Sequence, residues 1–267
     1  HGDEHGDEHG DEEEHDEHGE ERIFSTTDSE SFTIKGSYNI NGSLINKIDF
    51  NYRDSDYSLT EAHEEEEHHE EEEHDEEEEH EEHAPTVFMN EAVEYGATFD
   101  ISNDSSTQKV VVNFVDEDNS IVGEEAFMNP ANSKEFTIGY YLSKDIGIYD
   151  LDVGFRHDQI ERSGSVSEEE HGDHHDDDHG DDHGDEHGDE HGEVDYYNID
   201  DSTNSFAVTL GRSLTDNLGV SLGYASVERL PSSIELFMNG PHMATGRFEV
   251  GDPNLNSETS NNFDITF

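Results

Sequence analysis

Outside three low-complexity tracts, hydrophobic residues recur at every second position. Phe32, Ile34, Tyr38 and Ile40 alternate with Ser31, Thr33, Lys35, Ser37 and Asn39, the period of a strand with one apolar and one polar face. Asn41-Gly42 then offers a two-residue type I′ turn, because both residue types tolerate positive φ. Leu44, Ile48, Phe50 and Tyr52 continue on one face of the next segment, opposite Lys47, Asp49, Asn51 and Arg53. In a third segment Val93, Tyr95, Ala97, Phe99 and Ile101 alternate with Ala92, Glu94, Gly96, Thr98 and Asp100. The same reading places strands near 107–115, 135–142, 147–157, 205–212, 219–229 and 258–267, nine in all. Each spans about ten residues, and the fold class expected is all-β.

The connections alternate in length. Short turns fall at Asn41-Gly42 and around residues 102–106, 143–146 and 213–218, while long connections cover 1–28, 60–86, 116–134, 158–204 and 230–257. In an antiparallel up-and-down meander every second connection lies at the same end, so all the long loops share one end of the sheet. Strands of this length, with tight turns at one end and long loops at the other, predict part of a transmembrane β-barrel with lipid against its apolar face. Phe24, Tyr57, Phe88, Tyr140, Tyr141, Tyr196 and Tyr197 stand near strand ends, where an interfacial aromatic girdle would lie. A soluble β-sandwich or barrel with one wet face has the same alternation and stays open at this point.

Composition changes the picture in the tracts. Residues 1–21, 61–83 and 168–195 hold 43 of the 72 acidic residues and 18 of the 20 histidines, and nearly all the rest of the tracts is glycine. With so little apolar surface they cannot offset an ordering cost of about 1 to 2 kcal/mol per residue, so long, disordered acidic and His-rich loops on one side of the barrel are expected. The net charge of -60 repels phosphate backbones and anionic headgroups, which excludes nucleic acid as a partner and favours cations. No apolar run approaches the length of a membrane helix, and the absence of cysteine excludes disulfides and thiolate metal sites. The chain opens at His1 inside an HGDE repeat, without a methionine or a signal peptide, and reads as a fragment of a larger protein.

One region is more specific. Glu228-Arg229-Leu230-Pro231-Ser232-Ser233-Ile234-Glu235-Leu236-Phe237 is followed by Asn239-Gly240-Pro241-His242-Met243-Ala244-Thr245-Gly246 and by Gly251-Asp252-Pro253-Asn254-Leu255. This order closely resembles the late barrel of TonB-dependent outer-membrane receptors, and Gly123-Glu124-Glu125-Ala126-Phe127-Met128-Asn129-Pro130 resembles a second motif of the group. The resemblance covers roughly residues 29–267, and the His-rich loops are similar to those of its zinc-uptake branch. It implies a bacterial outer-membrane barrel of 22 strands and an N-terminal plug through which the TonB complex supplies energy. Residues 1–267 are then expected to be a fragment of the barrel domain without the plug.

Neutral imidazole and carboxylate both ligate Zn²⁺, and Ni²⁺ or Cu²⁺ as well, whereas a carboxylate-only tract would suit Ca²⁺ or Mg²⁺. The candidate ligands are His1, His5, His9, His15 and His18; His63, His68, His69, His74, His80 and His83; and His171, His174, His175, His179, His183, His187 and His191. Their loose spacing predicts many weak, exchangeable sites, suited to capturing an ion that is then passed on. His157 with Asp158, beside the longest tract, is a candidate ligand pair at the barrel mouth. His242, with Glu235 and Glu249 in the same loop, is a candidate for a defined site. No phosphate loop or nucleophile-elbow context appears, so no enzyme and no catalytic cofactor is expected. Three functions stay in play: a receptor importing divalent metal, a secreted or surface metal-buffering β-protein, and a siderophore or haem receptor of the same superfamily.

Overall fold

The computed structural model describes residues 22–40, 44–64, 84–123, 126–167, 193–242 and 247–267, with the side chains of residues 22, 23, 63 and 64 undescribed. Among these, nine strands form one antiparallel sheet in chain order: β1 (Arg22–Asn39), β2 (Lys47–Glu64), β3 (Thr86–Asp100), β4 (Thr107–Val122), β5 (Ala131–Ile146), β6 (Tyr149–Ser167), β7 (Val194–Thr215), β8 (Leu218–Arg229) and β11 (Glu258–Thr266). A loop between β8 and β11 carries the short helix α1 (Ser233–Phe237) and a two-stranded hairpin of β9 (Asn239–His242) and β10 (Arg247–Val250). The nine expected strands and their up-and-down order are observed. The sheet does not close on itself, since β1 and β11 are its two edges.

Register aligns the alternation of neighbouring strands into a continuous apolar face. One cross-strand row runs Tyr38, Ile48, Phe99, Val110, Tyr140, Phe155 and Phe206. Another runs Leu151, Leu210, Leu222 and Ile265. Phe50, Phe136, Phe155, Phe206, Leu222 and Phe263 on this face are all solvent-exposed. Contiguous exposed aromatics on this scale require a nonaqueous neighbour. On the opposite face the rows are polar, as in Lys35, Asn51, Gly96, Asn113, Thr137, Asp158 and Thr203. Bonds such as Asn113 Nδ2 to Glu94 Oε1 (3.1 Å) and Tyr141 Oη to Asp152 Oδ1 (2.9 Å) tie this face together.

Three expectations need correction. The strands flanking the first turn pair Asn39 with Lys47, and Ile40 N donates to Asn46 O. A two-residue turn at Asn41-Gly42 would instead pair Ile40 with Ser43, so the connection is longer; residues 41–43 themselves lie outside the described residues. The turn expected at 143–146 lies at Gly147-Ile148, closed by the Ile146 and Tyr149 pair, because Gly147 can hold the φ of 65° needed at the first central position. Finally, apart from β11 with 9 residues, the sheet strands run 12 to 22 residues rather than about ten. Their long-loop ends continue the backbone ladder after the apolar face has ended, for example from Phe114 to Asp116 and Asp118, so the alternation no longer marks them. β2 and β7 reach into the ends of the acidic tracts for the same reason, as Glu64 pairs with Arg22 and Val194 with Ser167.

The only compact core among the described residues sits at the long-loop end, on the polar face. Ile121, Phe127, Met128, Ala131, Leu236 and Phe237 are buried together, with Phe88, Val166, Tyr197 and Ile199 packed against them. Two of the expected girdle aromatics, Phe88 and Tyr197, belong to this core, and Tyr57 and Tyr141 also fall on the polar face. Only Phe24, Tyr140 and Tyr196 share the apolar side. Strand parity, not proximity to a strand end, decides which way a ring points.

Candidate metal site at the sheet mouth

The loop between β8 and β11 is folded onto the polar face and held there by buried polar anchors. Arg162, 9% exposed, donates from Nε to Pro231 O (2.7 Å), from Nη1 to Ser133 Oγ and from Nη2 to Glu135 Oε1 (2.9 Å). A buried guanidinium is tolerated only when its donors are engaged in this way. Next to it Phe237 lies flat on the sheet at Gly164, where a Cβ would stand 2.5 Å from the Phe237 ring. Asn239 Nδ2 donates to Ser167 O (2.7 Å) and Asn239 N to Phe127 O (2.7 Å), joining this loop to the β4–β5 connection.

This docking places the β9–β10 hairpin beside Phe88 and Phe127. Register pairs His242 with Arg247, and the His242 Nδ1 and Glu249 Oε1 atoms approach to 3.2 Å. The imidazole stacks on Phe127 with centroids 4.8 Å apart and lies 6.5 Å from Phe88. The two rings fix its plane and leave His242 and Glu249 about a quarter exposed, at 23% and 28%. A nitrogen and a carboxylate oxygen at this separation share a proton, or exchange it for a divalent cation bound at about 2.0 to 2.2 Å from each.

Glu235 does not join them. It caps α1 from inside: Ser232 N and Oγ donate to Glu235 Oε2 (2.7 and 2.8 Å), completing a capping box. Arg229 donates to both its oxygens (2.8 and 3.0 Å) and to Glu258 (2.9 Å). The Arg229 guanidinium first, then the Ser232 donors, hold the Glu235 carboxyl at about 2, below the ordinary carboxylate value. A carboxylate so fully engaged is a strut and not an open ligand. The Ser232-x-x-Glu235 spacing carries this role in the sequence.

His157 and Asp158 are likewise not brought together, because consecutive strand residues point to opposite faces. His157 stands on the apolar side, its Nδ1 3.0 Å from Asn204 Oδ1. Asp158 is buried on the polar side and accepts from Thr137 Oγ1 (2.5 Å), Arg156 Nε (2.7 Å) and Thr203 Oγ1 (3.4 Å). Of the 18 tract histidines only His63, near the end of β2, has a described backbone, and the others lie outside the described residues. Among the described residues no three His, Cys, Asp or Glu side chains are grouped closely enough to hold a metal ion by themselves. Sequence reasoning missed the anchors Arg162 and Gly164 and the aromatic seat of His242, none of which has a local signature.

A meandering sheet with one apolar face, one polar face and loops folded over the polar side at one end is the wall of a membrane β-barrel. The chain belongs to the TonB-dependent receptor-like β-barrel family, whose model matches residues 9–267. Members of that family are bacterial outer-membrane proteins and act as transporters, not enzymes. Among solved structures, the chain is similar to the hemophore receptor HasR of Serratia marcescens, a double mutant in complex with its hemophore HasA and heme (TM-score 0.60, 12% identity, covering 90% of this chain and 36% of that one). It is also similar to the copper transporter OprC (0.56, 12%, 89% and 35%), and to the ferric-catecholate import receptor Fiu of E. coli K12 (0.50, 12%, 92% and 38%). The chain thus spans about a third of the length of these structures, and at this identity they show a shared fold. The apolar face is the lipid side and the polar face the lumen side.

Proposed function

We propose that this chain is part of an outer-membrane receptor that captures divalent metal, zinc foremost, at its extracellular end and imports it through the barrel. The observation that carries the reading is the His242 and Glu249 pair, 3.2 Å apart and seated on the lumen side of the mouth. Two ligands make an incomplete zinc site. The remaining positions are filled by tract histidines and carboxylates or by water, so the ion can move from tract to pair and onward. The strand ends from which the three tracts leave, at Arg22, Glu64, Thr86, Ser167 and Val194, lie at the same end of the sheet as the pair. Their negative charge concentrates cations there before coordination. Coupling through a plug to the TonB complex, as the family resemblance implies, supplies the energy.

The competing reading is a haem or siderophore receptor. The similar solved structures are a hemophore receptor in complex with its hemophore and heme, a copper transporter and a ferric-catecholate import receptor, so cargo is decided by the residues of this chain, and 18 tract histidines favour a transition-metal ion. Calorimetric titration of the full receptor with Zn²⁺, and again with Ca²⁺, tests the capture step. A saturable zinc heat weakened by His242→Ala supports it, and equal heats for the two ions would overturn it.

A further inference from the structure

The upper part of β7 has a neighbour on one side only. Its ladder to β6 is continuous up to the Ser167 and Val194 pair, whereas its ladder to β8 reaches no higher than Phe206 and Ser226. Above that pair the ladder is ended by side chains: Asn204 N donates to Glu228 Oε2 (2.9 Å) and Glu228 N to Ser205 Oγ (3.1 Å). The chain beyond β8 then crosses to Arg162 at Pro231. Residues 194–202 are therefore a strand edge that belongs to the fold itself, since β8 is present and has left it. Tyr196 lies ten positions beyond Phe206 on β7, about 33 Å along the strand at 3.3 Å per residue, so this edge stands in water, well clear of the apolar belt.

Parity shows which groups the edge offers. The N–H and C=O of one strand residue point to the same side, and those of the next residue to the other. Asn204 N points toward β8, so the backbone groups of Val194, Tyr196, Asn198, Asp200 and Ser202 are directed to that side as well. Ser202 N donates to Asp201 Oδ1 (2.7 Å), while among the described residues the backbone groups of the other four meet no protein partner on that side. The opposite edge, on β6, is treated differently. Above Ser163 its outward carbonyls are capped, Ser165 O by Asn129 Nδ2 (3.3 Å) and Ser167 O by Asn239 Nδ2 (2.7 Å). One edge of the β6 and β7 pair is closed by amide side chains and the other is left open. An open edge is a template for another strand.

We propose that the β7 edge over residues 194–202 takes up an extended, basic segment of a partner protein as an added strand. The backbone groups of Val194, Tyr196, Asn198 and Asp200 supply the ladder, and the side chains select the occupant. On one face Asp195 and Asp201 are exposed; on the other, Val194 and Tyr196 are 38% and 83% exposed. A strand alternating Lys or Arg with β-branched or aromatic residues satisfies both faces, because opposite charges and apolar pairs across a ladder are favourable. A second copy of this chain fits badly, since antiparallel pairing about Asn198 sets Asp195 against Asp201. The acidic tract that leads into β7 adds long-range attraction for the same basic partner. The interaction is independent of cargo and uses neither His242 nor Glu249.

The test uses the full receptor in detergent and a fluorescent ten-residue peptide alternating lysine with valine, its binding read by anisotropy. Binding should saturate, and amide exchange at Tyr196, Asn198 and Asp200 should slow. Full N-methylation of the peptide keeps its charge but removes its backbone donors, and should weaken binding at least ten-fold. Asn198→Pro removes one N–H on the open side, a change that an edge tolerates, and should weaken binding at least five-fold, while Asn198→Ala, which keeps the N–H, stays near wild type. The zinc heats of Asn198→Pro should match those of wild type, which shows the variant to be folded and separates failure here from failure of the metal reading. Equal binding of the methylated peptide would mean attraction by the acidic tracts alone and would overturn the proposal. So would equal binding by Asn198→Pro, tighter binding of a peptide with glutamate in place of lysine, or self-association of the free receptor that Asn198→Pro abolishes.

Discussion

The belt and the mouth of the sheet are completed by different surroundings. In the belt, large apolar side chains such as Phe136, Phe155, Phe206 and Leu222 stand exposed on the protein, and the polar face behind them is held by hydrogen bonds. At the mouth, by contrast, Leu236 and Phe237 are 2% and 1% exposed and pack on Ile121, Phe127 and Met128 as in an ordinary water-soluble core. The belt needs lipid to complete it, while the mouth completes itself. Loops can therefore be placed with precision only at the mouth, where a core exists to hold them, and the defined histidine and carboxylate pair is found there.

That contrast can be broken from either side. The largest effect is expected at the mouth, where Phe237→Ala removes a fully buried ring and should cost about 3 to 5 kcal/mol of loop docking. Faster amide exchange across residues 230–257 with unchanged exchange in the belt strands would measure it; uniform loss along the whole sheet would contradict two separate regions. Next, a charge in the middle of the belt, Val112→Arg, should cost about 2 to 4 kcal/mol when folding is followed in lipid vesicles. The same change at neighbouring Val111, on the lumen face, should cost much less, and equal penalties would remove the distinction between faces.

A smaller effect concerns the cargo. His242→Ala should weaken the tightest zinc-binding phase by about ten-fold, a scale of roughly 1.4 kcal/mol, while leaving the weak tract-dependent phase in place. Acidification should abolish both, since imidazole and carboxylate bind metal only when deprotonated; metal binding that persists at pH 4 would rule out histidine ligation. The smallest effect is that of Glu235. Its folded value near 2 lies below the ordinary carboxylate value, so its contribution is complete above about pH 4.5 and disappears as pH falls toward 2. With 39% of the side chain exposed, solvent screening holds this below about 1 kcal/mol. Glu235→Gln should remove the pH dependence of loop protection over that window.

Much of the sheet was legible because strand alternation is a local, period-two signal. The face shared by Val93, Tyr95, Ala97 and Phe99, the order of the strands and the grouping of long loops at one end all follow from it. The same rule already separates His157 from Asp158, since neighbours on a strand cannot share a face. The strand ends were less legible, because beyond Phe114 the outward positions become Asp116 and Asp118 and the apolar marker stops while the hydrogen-bond ladder continues. Glu235 was partly legible through its capping-box spacing, a signal that competes with its appeal as a ligand.

The strand period, the polarity of each face and the concentration of histidine and carboxylate in the connecting tracts are all written in the chain itself, because each depends on residues close together along it. Folding is what brings Arg162 to Pro231 across 69 positions, the Phe237 ring onto Gly164, and His242 to Glu249 on an aromatic seat drawn from β3 and the β4–β5 connection. These contacts exist because a loop is folded back onto a sheet. Their stabilisation comes from burying surfaces that are distant in sequence, and no local pattern encodes which distant surfaces will meet.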